Sequence, residues 1–229
     1  MTRLNRFFKY LQEEQLSRLF FFFMAGLLFG CGSGESHPKS AEVYQAQRLQ
    51  LFNRTIYPEV AKLVQNGDIV TRLGSDITSD MLRQMNKSDQ SFSHIGIASI
   101  EHDTIFVYHA IGGEFNPDQK IKREPLYSFL HAADNKGGGL YRINTTAGKT
   151  LGVAMRARDF FNAAIPFDMA FDYQSEDRLY CAEFVAKCIG RTLEDSSWLA
   201  FSTAGKFSYV AVDNITKSKI MLPVFRKFY

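Results

Sequence analysis

Apolar positions change their period several times along this chain, and each change marks an element. Over residues 41–64, Tyr44, Leu49, Leu51, Phe52, Ile56, Val60, Leu63 and Val64 fall on an approximate helical stripe. The spacing predicts a helix, broken or kinked at Pro58. Asn66-Gly67 is a turn signal, and Asp68-Ile69-Val70-Thr71-Arg72 then reads as a strand. Residues 76–85 make a short helix, capped by Ser75 or Asp76. Two strands follow in quick succession, His94 to Ile100 and Ile105 to Ala110, joined by the polar turn Glu101-His102-Asp103-Thr104. That is the pattern of a hairpin. Lys120 to Arg123 reads as a further strand, and Pro125 opens a short helix through His131. Gly137-Gly138-Gly139 reads as a loop, Leu140 to Ile143 as a strand and Thr146 to Ala164 as a helix. Residues 168–177 form a loop rich in aromatics and acids. A helix beginning near Cys181 is stopped by Gly190. From Asp195 on the pattern is ambiguous. Strands and helices interleave without an internal repeat, so the expectation is one α+β domain over residues 41–229.

The first forty residues obey different rules. A basic opening with Arg3, Arg6, Lys9 and Arg18 precedes the apolar run Leu19 to Phe29. The run is well short of the roughly 20 residues that span a bilayer and has the length of a signal-peptide apolar region. It ends in Leu28-Phe29-Gly30-Cys31, which resembles a bacterial lipoprotein signal with Leu28 at −3, Gly30 at −1 and Cys31 at +1. That resemblance implies a signal over residues 1–30, lipidation of Cys31, and a polar linker over residues 31–40 that contains His37. It also implies export, with the domain facing the periplasm and anchored to the outer membrane where the cell has one. An uncleaved signal anchor and a plain secretory signal are the alternatives.

Composition narrows the function classes. The chain has 229 residues, 45% hydrophobic and 22% charged, and a formal charge of +3 with no basic stripe. That is a globular core without the footprint of nucleic-acid binding. The three cysteines, Cys31, Cys181 and Cys188, make neither a disulfide framework nor a paired metal site. No cofactor is implied, and a monomer is expected.

The candidate chemistry lies in Cys181, His94 and His109. A two-residue turn at His102-Asp103 sets Glu101 opposite Thr104 and Gly96 opposite His109. Side chains alternate along a strand. His94 and His109 are then diagonal neighbours on one face, roughly 7–8 Å apart at the backbone. Gly96 and Ala98 share that face and leave room for a large partner, which the spacing suggests is the helix that begins at Cys181. A thiol at a helix start feels the partial positive charge of unpaired N–H groups, which favours thiolate. A neighbouring imidazole can take its proton, and a second polar group can orient that imidazole. The N–H of Cys181 can hold a developing oxyanion, with Tyr180 as a candidate second donor. Cys188, on nearly the same helix face, reads as core. Thiolate plus two imidazoles is also a zinc ligand set, though no short-spaced ligand pair accompanies it. Asp168 and Asp172 are candidate cleft selectors or turn residues.

Four blocks carry a resemblance: Asn66-Gly67-Asp68-Ile69-Val70-Thr71-Arg72, Phe92-Ser93-His94-Ile95-Gly96-Ile97, Val107-Tyr108-His109-Ala110 and Leu179-Tyr180-Cys181-Ala182-Glu183-Phe184-Val185. In that order they resemble the bacterial permuted papain-like amidases of the YaeF/YiiX type, within the NlpC-like superfamily. His94 precedes Cys181, as in the permuted branch, which also resembles lecithin:retinol acyltransferase-like enzymes. The resemblance implies an antiparallel sheet packed against the helix bearing Cys181. It implies Cys181 as nucleophile, His94 as base and His109 as third polar residue. The expected activity is cleavage of a peptide-type amide in the cell envelope. The alternatives are a lipid-acyl hydrolase or acyltransferase on the same site, and a non-catalytic zinc- or peptide-binding envelope lipoprotein.

Overall fold

Six strands build one antiparallel sheet. The computed structural model describes residues 38–113, 116–205 and 207–229. The expected signal, Cys31 and His37 lie outside the described residues. The chain falls into two units, Met1–Tyr44 and Gln45–Tyr229, and the fold below is that of the second.

In chain order the elements are α1 (Pro38–Leu51), a π-helical turn (Phe52–Ile56), α2 (Tyr57–Leu63), β1 (Ile69–Gly74), α3 (Ile77–Arg83), β2 (His94–Glu101) and β3 (Thr104–His109). Next come β4 (Lys122–Pro125), α4 (Leu126–Leu130), β5 (Asn135–Ile143), α5 (Ala147–Asn162) and α6 (Cys181–Leu193). The chain closes with β6 (Ser202–Ala204), β7 (Phe207–Tyr209), α7 (Val212–Thr216) and β8 (Met221–Phe228). The main sheet runs β4-β3-β2-β1-β5-β8, and every neighbouring pair is antiparallel. The short pair β6-β7 stands apart.

Four expectations change. Helix α1 already begins at Pro38, so the last three residues of the expected linker are helical. The break lies before Pro58, where the Tyr57 N–H reaches back to the Phe52 carbonyl in the wider π turn. Pro58 lacks the N–H that a regular turn needs, and the wide turn absorbs the defect. Gly137, Gly138 and Gly139 are strand, not loop: they pair with both β1 and β8. A Cβ at Gly138 would lie 2.7 Å from Leu130 Cδ2, so these glycines mark close packing. Gly190 likewise sits inside α6, because a Cβ there would lie 2.8 Å from Ser196 Oγ, and the helix ends three residues later with Glu194 left-handed.

One sheet face carries Val70, Ala98, Val107, Leu140 and Phe225, which pack against Phe52, Ile56, Val60, Leu126 and Phe129. The alternate residues Ile69, Ile95 and Ile97 are fully buried on the other face, where α5 and α6 lie against β2. This reverses the expectation for Gly96 and Ala98. Their face meets the core side built by the π turn, α2 and α4, and α6 covers the opposite face.

Candidate active site

Two steps along each central strand from that first core lead to the site. Beyond Val70 on β1 comes Arg72, beyond Ala98 and Gly96 on β2 comes His94, and beyond Val107 on β3 comes His109. Glu124, the register partner of Val107 on β4, faces the same way. The hairpin turn is the expected one, with Glu101 opposite Thr104 and His102 at φ 53° in the turn. Strand parity therefore puts both histidines on one face, and the imidazoles meet: His94 Nε2 lies 2.8 Å from His109 Nδ1.

His109 is 1% exposed and His94 7%. The Phe129 ring packs against both, at centroid distances of 5.8 Å to His94 and 5.2 Å to His109. His109 Nε2 lies 2.9 Å from Glu124 Oε1, off the line of an ideal hydrogen bond but at ion-pair distance. A carboxylate can only accept, so the proton of a neutral His109 belongs on Nε2. Its Nδ1 is then bare and accepts from Nε2–H of His94. That leaves His94 Nδ1 without a proton, ready to take one.

Charges around the pair reinforce its neutrality. Burial pushes the His94 pKa well below the ordinary imidazole range, and Arg72, across the β1–β2 pair, adds to it. Burial also lowers His109, partly offset by Glu124. Burial acts upward on Glu124, but His109 and Arg72 outweigh it and hold its carboxyl below the usual range. The Arg72 guanidinium is fixed by the Phe129 carbonyl at 3.1 Å and lies 3.5 Å from Glu124 Oε1. Sequence reasoning assigned no role to Arg72 or Glu124. Register could have found Glu124, had the strand been placed at Lys122–Pro125 rather than 120–123.

Cys181 is the first residue of α6 and 9% exposed. From the far face its sulfur meets the start of β2 at the Ile95 amide, one residue along from His94. The Ile95 position across the hairpin would be Ala110, beyond the end of β3, and the Ile95 amide serves the sulfur instead. Burial pushes the thiol up to about 11, while the amides of Ala182, Ile95 and Cys181 itself, and then Arg72, pull the other way. This corrects the expected low-pKa thiolate: the helix-start amides act in the expected direction, but desolvation outweighs them. Among the described residues no hydrogen bond joins the sulfur to either ring. The directions of these shifts favour a neutral thiol at the helix start and a neutral imidazole pair.

The remaining candidates have structural work. The Tyr180 hydroxyl accepts from the Val210 amide at 2.8 Å, which ties it to the segment before α7. Asp168 accepts from the amides of Ala170 at 2.8 Å and Asp172 at 2.7 Å, so it shapes its own loop. Cys188 is fully buried core. Glu183, pushed up to about 8 by burial, accepts from the Tyr180 amide at 3.2 Å and lies 2.9 Å from Lys187 Nζ. It caps the helix that presents Cys181. Among the described residues no group of three His, Cys, Asp or Glu is arranged to hold a metal ion, and the two imidazoles face each other rather than a common point.

An antiparallel sheet with paired imidazoles, and a later helix that opens on a cysteine, define the papain-like class in its permuted order. The chain belongs to the permuted papain-like amidase family YaeF/YiiX, the C92 peptidase family, whose profile matches residues 63–207. It is similar in fold to a crystal structure titled metalloprotein yiiX from Escherichia coli O157:H7, with TM-score 0.60 and 18% identity over 73% of this chain and 99% of that one. No curated protein matches the chain.

Proposed function

We propose that this protein is a cysteine amidase that cuts a peptide-type bond at Cys181, with His94 as base and His109 and Glu124 as its orienting relay. The observation that carries the reading is the 2.8 Å contact between His94 Nε2 and His109 Nδ1, in a chain whose family is amidase. It leaves His94 Nδ1 as the proton acceptor. The Sγ–H proton passes to that nitrogen as sulfur attacks the carbonyl carbon. Nδ1–H then protonates the leaving nitrogen, the C–N bond breaks and a thioester remains. Water, deprotonated by His94, attacks the thioester, the acid leaves and the thiol is restored. Because the resting thiol is neutral, proton transfer accompanies attack rather than preceding it.

The proposed setting is the cell envelope, with Cys31 lipidated and the domain held at a membrane surface. The sequence of residues 1–40 supports this. Among the described residues no helix is long and apolar enough to cross a membrane. Mass spectrometry of the mature N-terminus tests it, and an unmodified chain starting at Met1 would count against it.

Turnover of amide substrates tests the chemistry. Cys181→Ala is expected to abolish hydrolysis with melting unchanged, and His94→Ala to cost about 10²–10⁴-fold. A thiol probe is expected to label Cys181 and spare Cys188. Undiminished hydrolysis by Cys181→Ala would refute the assignment.

A further inference from the structure

A carboxylate beside an imidazole has two effects that pull against each other. Glu124 favours the His109 proton on Nε2, which the relay needs. Its negative charge also favours a charged ring, which the relay cannot use. The four ring nitrogens of the pair show why. At rest they hold two protons, one on each Nε2, and the His94 Nε2–H donates to His109 Nδ1 across 2.8 Å. A third proton has two places to go. On His94 Nδ1 it fills the acceptor directly. On His109 Nδ1 it confronts the His94 Nε2–H, and the His94 proton must move to its own Nδ1. Either way the nitrogen that receives the thiol proton is occupied.

Arg72 stands against that third proton. Antiparallel register sets it opposite His94 on β1. Two strands separate β1 from β4, yet Arg72 Nη1 lies 3.5 Å from Glu124 Oε1. The two side chains therefore meet across the strands that carry the histidines. Nη1 also donates to the Phe129 carbonyl at 3.1 Å, and the guanidinium lies 4.5 Å from the centre of the Phe129 ring. That ring packs against both imidazoles. The cation is thus pinned beside the pair rather than free to swing into solvent.

The other charges around the pair are few. Arg72 on β1 and Lys122 on β4 oppose a third proton, and Glu124 favours it. Lys122 is the register partner of His109 but is exposed, where water and salt screen it. The Arg72 side chain is only 16% exposed. From α4 the rings meet the uncharged Phe129. Cys181, Asp76 and Asp134 act on Arg72 itself.

We propose that Arg72 is a positioning residue of the relay: its fixed cation counterbalances Glu124, holds the histidine pair at two protons and so keeps His94 Nδ1 bare at neutral pH. The inference deepens the amidase reading above and rests on it for its catalytic meaning.

Two readouts test it. Ring NMR of His94 and His109 from about pH 5 to 9, around the imidazole reference, counts the protons without any substrate. The pH dependence of kcat/KM for an amide gives the acid limb of catalysis. Arg72→Met removes the charge and is expected to move both up by about one pH unit, with most of the lost turnover recovered at the alkaline end. Arg72→Lys keeps the charge and is expected to leave both near wild type. Lys122→Met, at the screened cation, is expected to move them less than about half as far as Arg72→Met. A merely structural arginine would cost stability without moving a titration. An unmoved titration in folded Arg72→Met, an equal shift in Lys122→Met, or an Arg72→Lys protein that titrates like Arg72→Met overturns the proposal. Should Arg72→Met not fold, the wild type decides. Raising salt from about 0.01 to 1 M screens Lys122 far more than Arg72, so the ring titration is expected to hold within about 0.3 pH unit. A rise of a full unit assigns the effect to Lys122 and overturns the role of Arg72. If the titration moves in Arg72→Met but no amide is cut, the amidase reading fails and the charge balance stands. If amides are cut and the titration stays put, the amidase reading stands and the role of Arg72 falls.

Discussion

Replacing Glu124 tests the proton relay away from the sulfur. Glu124→Leu removes the carboxylate 2.9 Å from His109 Nε2. Nothing then fixes the His109 proton on that nitrogen. The ring can place it on Nδ1, where it faces His94 Nε2 and drives the His94 proton onto Nδ1, the atom that must stay bare. A hydrogen bond to a charged group contributes about 1.5–3 kcal/mol. The Glu124 side chain is 27% exposed and off-line, so the lower end applies. About 1.5 kcal/mol corresponds to roughly a tenfold loss of rate. Glu124→Gln keeps an acceptor without the charge and should lose only about two- to fivefold, since a neutral hydrogen bond is worth about 1 kcal/mol. The assays are amide turnover and the second-order rate of Cys181 alkylation by iodoacetamide across pH 6–9 (a window chosen around the ~6.5 imidazole reference). The expected order is wild type, then Gln, then Leu, with melting temperatures alike. A Glu124→Leu protein that matches wild type in both assays at every pH would refute the relay.

Other outcomes follow from burial and charge. Because both imidazoles are held below their ordinary pKa, the unfolded chain binds more protons once pH drops under about 6.5. Stability is complete above that value and falls below it by up to about 1.4 kcal/mol per pH unit for each histidine. Urea unfolding at several pH values measures the slope, and His94→Asn should flatten it by one proton. The Cys181 thiol, pushed up to about 11, should be alkylated slowly near neutrality, with a rate still rising above pH 9. A plateau below pH 7 would contradict the neutral resting thiol. A Cβ on Gly96 would lie 2.6 Å from Val107 Cγ1 and 3.1 Å from His109 Cβ. Gly96→Ala should therefore cost about 1–3 kcal/mol and slow turnover, both measurable on one preparation. Asp68 is 1% exposed and held by Arg142 at 2.7 and 2.9 Å. Arg142→Ala leaves that carboxylate with the Gln65 amide and should cost about 3 kcal/mol, the low end for a broken buried pair, seen as a melting shift of roughly 6–12 °C.

The sequence made the hairpin legible because a two-residue turn fixes strand parity, and parity alone brings His94 and His109 together. It made the start of α6 legible because Cys181 opens an apolar helical run behind a loop of turn residues. What it hid were effects that depend on neighbours distant in sequence. Gly137 to Gly139 look like a loop until Leu130, Thr71 and Phe228 are seen pressing on them. Gly190 looks like a stop until Ser196 is packed over it. Helix-end electrostatics pointed to an acidic thiol, but how much water the sulfur loses is set by tertiary packing. Glu124 and Arg72 were invisible as partners because neither belongs to a local motif with the histidines, and only the sheet order β4-β3-β2-β1 joins them.

The order of elements also sets the order of synthesis. A nascent chain emerges from its N-terminus, so the ribbon of β2 and β3 can close, with its two rings in contact, long before α6 is synthesised. The ribbon pairs residues only 15 apart in sequence at the site, a local event that needs no distant partner. A chain cut short anywhere between β5 and α6 would carry the two histidines of the ribbon and lack Cys181. The thiol at the start of α6 is made last, after five of the six strands of the main sheet.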